Sequence, residues 1–135
     1  MRAELRFPLC LLAGVMLLSA GLGCGQSDPE RFHLSGTVTH QGQPVAFGSI
    51  VFQPDQSQGN SGSYATASIK DGKFDTRSGG EGTVGGPHLV MIEAFDGKDI
   101  NDDFAPYGKS LGESYQRPFD LPREDSTLTI ELTDR

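Results

Sequence analysis

An all-β domain, with short antiparallel strands packed as a sandwich, is what this chain predicts. Three observations carry the prediction. Six segments alternate apolar and polar residues with a period of two. Turns built from Gly, Pro and Asp divide them, and no stretch of the body repeats with a helical period. Ahead of the body, residues 1–23 predict a helical signal peptide.

Each element follows from local pattern. Residues 24–31 are polar, with Ser27, Asp28 and Pro29, and read as a flexible tether. The first strand starts at Phe32, with Leu34, Gly36 and Val38 on one face and His33, Ser35 and Thr37 on the other. Residues 40–44 make a turn. The second strand covers 45–53, with Ile50 and Phe52 on a common face, and Pro54 and Asp55 end it. Residues 55–63 hold Gln, Ser, Gly and Asn with nothing to bury, which predicts a mobile loop. Alternation resumes at 64–69, with Ala65, Ala67 and Ile69 set against Tyr64, Thr66 and Ser68. Asp71-Gly72 accepts the positive φ of a tight hairpin, and the return strand is 73–77 with Phe74 inward. A glycine-rich link over 78–86 leads to the most apolar strand, 88–95. Its two apolar faces (Val90, Ile92, Ala94 and Leu89, Met91, Phe95) predict a central strand covered on both sides. Residues 96–125 show no period, contain Pro106, Pro118 and Pro122, and predict an irregular excursion of the functional or disordered kind. The last strand sets Leu128, Ile130 and Leu132 against Thr127, Thr129, Glu131 and Thr133.

The first residues set an address. Arg2 and Arg6 precede an apolar run over 7–18 that is too short to span a bilayer well, and Ser19, Ala20, Gly21 and Gly23 lead into Cys24. Gly21-Leu22-Gly23-Cys24 resembles a bacterial lipobox, with Gly21 standing where a branched aliphatic is usual. Acylation of Cys24 would anchor the chain, because two or more acyl chains hold firmly where one binds marginally. The alternative is ordinary signal-peptidase cleavage within residues 20–23, which frees the protein.

Size and charge narrow the function. Cleavage before Cys24 leaves 112 residues, one domain with room for a single core. Eleven Lys and Arg stand against 18 Asp and Glu; since residues 1–23 hold two basic and one acidic residue, the remainder carries −8. That balance argues against nucleic acid and against electrostatic attraction to anionic lipid. Cys10 departs with the signal and Cys24 would be acylated, so the remaining chain forms no internal disulfide.

A resemblance emerges from residues in a set order: Gly36-x-Val38, Gly42-x-Pro44-Val45, Ile50-x-Phe52-x-Pro54, Asp71-Gly72-x-Phe74 and Gly86-x-His88-x-Val90-x-Ile92. The set resembles the carboxypeptidase regulatory-like, or transthyretin-like, domain, in particular the small lipoproteins of planctomycete-type bacteria. It covers residues 32–96 and the final strand. The resemblance implies a seven-stranded, Greek-key, prealbumin-like sandwich that serves as a structural, adhesive or accessory module without catalysis or cofactor. His88 stands where that family usually has Tyr, and the 96–125 excursion has no counterpart in the motif. The family shares no functional residues to carry over.

Several constellations invite chemistry. Gly80-Glu81-Gly82-Thr83-Val84-Gly85 matches the dinucleotide pattern in letters, but that pattern needs a following helix, and Gly86-Pro87 and a strand follow instead. Gly108-Lys109-Ser110 resembles the end of a P-loop, although Asp103 occupies the position of its first glycine. Asp96, Asp99, Asn101, Asp102 and Asp103 supply oxygens of the type Ca²⁺ prefers, without EF-hand spacing; a solvated acidic loop is the plainer reading. His33, His40 and His88 match no zinc spacing, and His88 enters the central strand. No GxSxG nucleophile elbow exists. Phe104, Tyr107, Tyr115 and Phe119 gather in the excursion, as a lid over the sandwich or as a recognition surface.

The sequence therefore predicts a lipid-anchored, non-enzymatic protein of the cell envelope, on its periplasmic or outer face, acting as a structural or protein-binding module with an envelope protein partner. The rival is a small-ligand or Ca²⁺-binding module using the acidic and aromatic residues of 96–125. A hydrolase is a third class.

Overall fold

The computed structural model describes residues 28–133 except 102 and 113. The expected signal peptide and Cys24 lie outside the described residues. Eight strands follow in order: β1 (Leu34–His40), β2 (Gln43–Pro44), β3 (Phe47–Pro54), β4 (Ala65–Lys70), β5 (Lys73–Asp75), β6 (Gly86–Phe95), β7 (Tyr115–Leu121) and β8 (Ser126–Leu132). Among the described residues there is no α-helix, only the 3₁₀ turns Gln56–Gln58 and Thr76–Ser78. All-β is correct.

The strands join into one sheet, curled into a half-barrel, where two separate sheets were expected. The join is narrow. β4 ladders with β3 from Phe47↔Lys70 to Phe52↔Ala65, while β5 ladders with β1 through Ser35↔Asp75, Gly36↔Phe74 and Thr37↔Lys73. Only Lys70↔Lys73 connects β4 to β5. The predicted hairpin at Asp71-Gly72 makes this possible, with φ of 50° and 73°. A mirror-image turn at Gln41-Gly42 (φ 50° and 75°) pairs β2 with the end of β1.

The fold-over puts apolar faces against each other. Leu34, Val38, Phe74, Ile130 and Leu132 come from one arm, and Ile50, Phe52, Ile69, Val90, Ile92 and Leu121 from the other, all buried. The rings of Phe52 and Phe74 meet at 5.8 Å between centroids. β6 is central, between β3 and β7. Its second face is only partly covered: Leu89, Met91 and Phe95 are half-buried and Glu93 is exposed.

Three further expectations need correction. β8 runs parallel to β1, from Leu34↔Ser126 to His40↔Leu132, so the sheet is mostly and not wholly antiparallel. The reason lies at the entry: Ser126 N–H donates to the His33 carbonyl and Asp125 accepts from His33 N–H, so both strands start from one end. The second correction is β7 itself, inside a stretch that carries no evident period. Tyr115, Arg117, Phe119 and Leu121 do alternate, but Arg117 interrupts the apolar face, and Pro118 looks like a breaker. Among the described residues only one side of β7 is paired, and an edge strand tolerates proline. Third, residues 55–63 are built, not loose. Asp55 is buried and accepts from Ser57 N–H and hydroxyl and from Gln58, and Asn60 reaches across to the carbonyls of Gly85 (3.0 Å) and Pro87 (2.7 Å).

Candidate functional site

The acidic stretch of the 96–112 loop is organised around one side chain. Asp96 Oδ1 accepts from the backbone N–H of Lys98 (3.0 Å) and Lys109 (2.9 Å), and Asp96 N–H donates to the Lys109 carbonyl. Those two N–H donors, Lys98 first, hold its carboxyl below the usual carboxylate range. Gly108 packs against the same carboxylate at φ 86°, so Gly108-Lys109-Ser110 closes a loop. Asp99, Asn101 and Asp103 are exposed along the rim, and Asp102 lies outside the described residues. Among the described residues, no three His, Cys, Asp or Glu side chains are placed to hold a metal ion.

Other perturbed carboxylates close turns. The hydroxyl of Ser57, then Gln58, lowers the Asp55 carboxyl. Glu131 is lowered mainly by the Thr39 hydroxyl, and it also accepts from Gly42 N–H at 3.0 Å. The Gly80–Gly85 segment is likewise structural. Thr83 and Phe32 exchange two backbone hydrogen bonds of 2.8 Å, Gly82 lies flat against Phe32, and β6 follows. Arg31 extends this clamp to the end of the expected tether, donating to the Gly82 carbonyl at 3.1 Å and pairing with Glu81 at 3.4 Å.

The three histidines stand apart in role. His33 Nδ1 sits 3.3 Å from the Thr76 hydroxyl at the start of β1. His40 ends β1 at the open mouth of the half-barrel. His88 is 1 % exposed, inside the core at the opening of β6. Its Nδ1 lies 2.9 Å from the Gly86 carbonyl, so Nδ1 carries the proton and Nε2 is bare, with no hydrogen-bond partner among the described residues. Burial lowers its pKa from the ordinary 6.5, against a smaller upward pull from the Gly86 carbonyl. The sign follows. The unfolded chain takes the proton near pH 6.5, while the folded chain takes it only at lower pH. Stability from this residue is therefore complete above about pH 6.5 and declines as pH falls toward the folded value. Urea midpoints measured from pH 7.5 to 5 should fall with acid in the native chain, and His88→Phe should flatten that slope. An unchanged slope would show that His88 is not the group responsible.

The aromatic residues of the excursion divide. Tyr115 and Phe119 pack on the core. Tyr107 covers Phe47 and Phe95 on the outer face, at 5.9 Å from each ring. Phe104 is 97 % exposed and Ile100 half exposed, so the lid is partial.

One cavity of about 400 Å³ opens at the mouth of the half-barrel. Ile92 and Ala94 of β6, Leu132 of β8 and Leu111 supply its apolar part; Tyr115 and Arg117 of β7 and His40 of β1 line it with the polar Ser114, Gln116 and Thr133. Register dictates this. Val90↔Arg117 and Ile92↔Tyr115 are paired, so Arg117 and Tyr115 share the core-facing side with Val90 and Ile92. The Arg117 guanidinium lies 5.1 Å from the Tyr115 ring centre and donates to the Gln116 carbonyl at 3.0 Å. Sequence reasoning missed this cavity. The available signal was the register of Tyr115, Phe119 and Leu121, which places Arg117 inward once Pro118 is accepted on an edge. No family model matches the chain, and no curated protein matches it.

Proposed function

We propose that this chain is a lipid-anchored, non-enzymatic module of the cell envelope that works by binding, tethered through acylated Cys24. The observation that carries the non-enzymatic part is how the perturbed ionisable groups are used. Asp55, Asp96 and Glu131 each satisfy N–H or hydroxyl donors in a different turn, and His88 is sealed in the core. Catalytic sites bring such groups together in a cleft. None of these four lines the cavity at the mouth. The two arms folded over a common core at Asp71-Gly72 are a feature that this half-barrel would share with the prealbumin-like Greek-key sandwich of the carboxypeptidase regulatory-like resemblance. The partner would be another envelope protein, and an acidic surface disfavours nucleic acid.

The anchor is tested at Cys24. Mass spectrometry of the protein from its native membrane should give an N-terminal peptide that begins at an acylated Cys24, and Cys24→Ala should move the protein to the soluble fraction. An unmodified N-terminus elsewhere would remove the anchor. Turnover in ester or peptide substrate screens would remove the non-enzymatic reading.

A further inference from the structure

We infer that the cavity at the mouth is a binding site for a small organic monoanion with an apolar body, a carboxylate held by Arg117 beside the apolar patch of Ile92, Ala94, Leu111 and Leu132. The inference deepens the binding-module reading and is independent of the lipid anchor. Arg117 occupies a position where its strand otherwise turns Tyr115, Phe119 and Leu121 toward the core. A guanidinium on that side is costly unless its charge meets solvent or a counter-charge. Arg31 and Arg77 both have carboxylate partners, Glu81 and Asp75/Asp125 respectively. Among the described residues Arg117 has none; its contacts are the Tyr115 ring and the Gln116 carbonyl. The guanidinium carbon lies over the Tyr115 ring and one Nη donates to the Gln116 carbonyl, which leaves the remaining N–H groups of the fork for an acceptor.

The ligand class follows from the lining. One fixed cation in an acidic protein suits a single negative charge better than a polyphosphate. Leu111, with the edges of Ile92, Ala94 and Leu132, offers an apolar patch for a small ring or short chain behind that charge in an otherwise polar lining, and about 400 Å³ sits near the lower end of ligand pockets. The competing account is that Arg117 only guards a bare strand edge, since inward charges keep edges from pairing with other chains.

A titration separates these accounts. The full chain, labelled at backbone nitrogen and at Ile, Leu and Val methyls, is titrated by NMR with phenylacetate, with neutral phenylacetamide, and with an extended peptide blocked at its C-terminus. Phenylacetate should move the methyl signals of Ile92, Leu111 and Leu132 and saturate at about 5 mM or below. Phenylacetamide should bind about ten-fold more weakly. Arg117→Gln should weaken phenylacetate about ten-fold and leave phenylacetamide unchanged, and added salt should weaken only the acid. Should Arg117→Gln unfold the chain, Arg117→Lys replaces it, with an intermediate loss expected because the charge stays and the fork goes. Equal binding of acid and amide, or phenylacetate binding that survives Arg117→Gln in a chain that now aggregates, would overturn the inference in favour of edge protection. Shifts given by the peptide alone, confined to the backbone amides of 115–117 and 119–121, would overturn it in favour of strand addition. None of these outcomes bears on acylation of Cys24, so failure here and failure of the anchor are distinguishable.

Discussion

Replacing Gly36 by alanine should destabilise the domain by about 3 kcal/mol or more, among the largest losses available to one methyl group. Gly36 lies mid-strand in β1 between Phe74 of β5 and Leu128 of β8. A Cβ there would overlap the Leu128 carbonyl oxygen. The obstacle is backbone, so no rotamer change relieves it, and β1 and β8 must separate. Gly42 is the control. Its added Cβ meets nothing within 4 Å, and alanine there incurs only the left-handed φ of +75°, about 1–2 kcal/mol. Urea unfolding at unchanged m-value reads both. Hydrogen exchange should show the residues of β8 losing protection first in Gly36→Ala. A midpoint shift no larger than that of Gly42→Ala would mean that the two strands are not held so close.

Phe52→Ala should cost about 3–5 kcal/mol. The ring is fully buried, on β3 between Ala65 of β4 and Val90 of β6, and it touches Phe74 from the opposite arm. Its neighbours across the ladder are a methyl and an isopropyl group, too small to fill the space left behind. Since a domain of this size is held by only about 5–15 kcal/mol, the variant should sit near its threshold at 37 °C. Phe104→Ala removes the same atoms from a ring that is 97 % exposed and should change stability by less than about 0.5 kcal/mol. Comparable losses in the two variants would show that Phe52 does not join the arms.

Much of this fold was legible because strand faces obey a strict period. Leu34 and Val38, Ile50 and Phe52, Ala65 to Ile69, Val90 to Ala94, and Ile130 with Leu132 all face the core as their alternation requires. Asp71-Gly72 turns as its dipeptide demands. A period of two fixes which side of a strand is buried and says nothing about its neighbour. For that reason the parallel pairing of β8 with β1 was invisible, and so was the departure of β5 from β4 to β1 beyond Lys70↔Lys73. β7 escaped notice for a different reason: an edge strand can carry Pro118, and an open mouth can accept Arg117. The segment after β3 looked empty because its order comes from polar side chains, Asp55 and Asn60, that serve backbone groups and bury little apolar area. Of the candidate site, the sequence indicated the aromatic residues but not their division between core, outer face and solvent. The cavity exists only where the ends of β1, β6, β7 and β8 meet.

The β1–β8 ladder has a consequence for biogenesis. Ser35 and Thr127 stand side by side although 92 positions separate them along the chain. The first strand to leave the ribosome finds its neighbour on that side only when the final strand has followed it out. Such distant pairing is slow to form. Closure of this ladder is thus a late step of folding, held back until residues 126–132 are free to pair with β1.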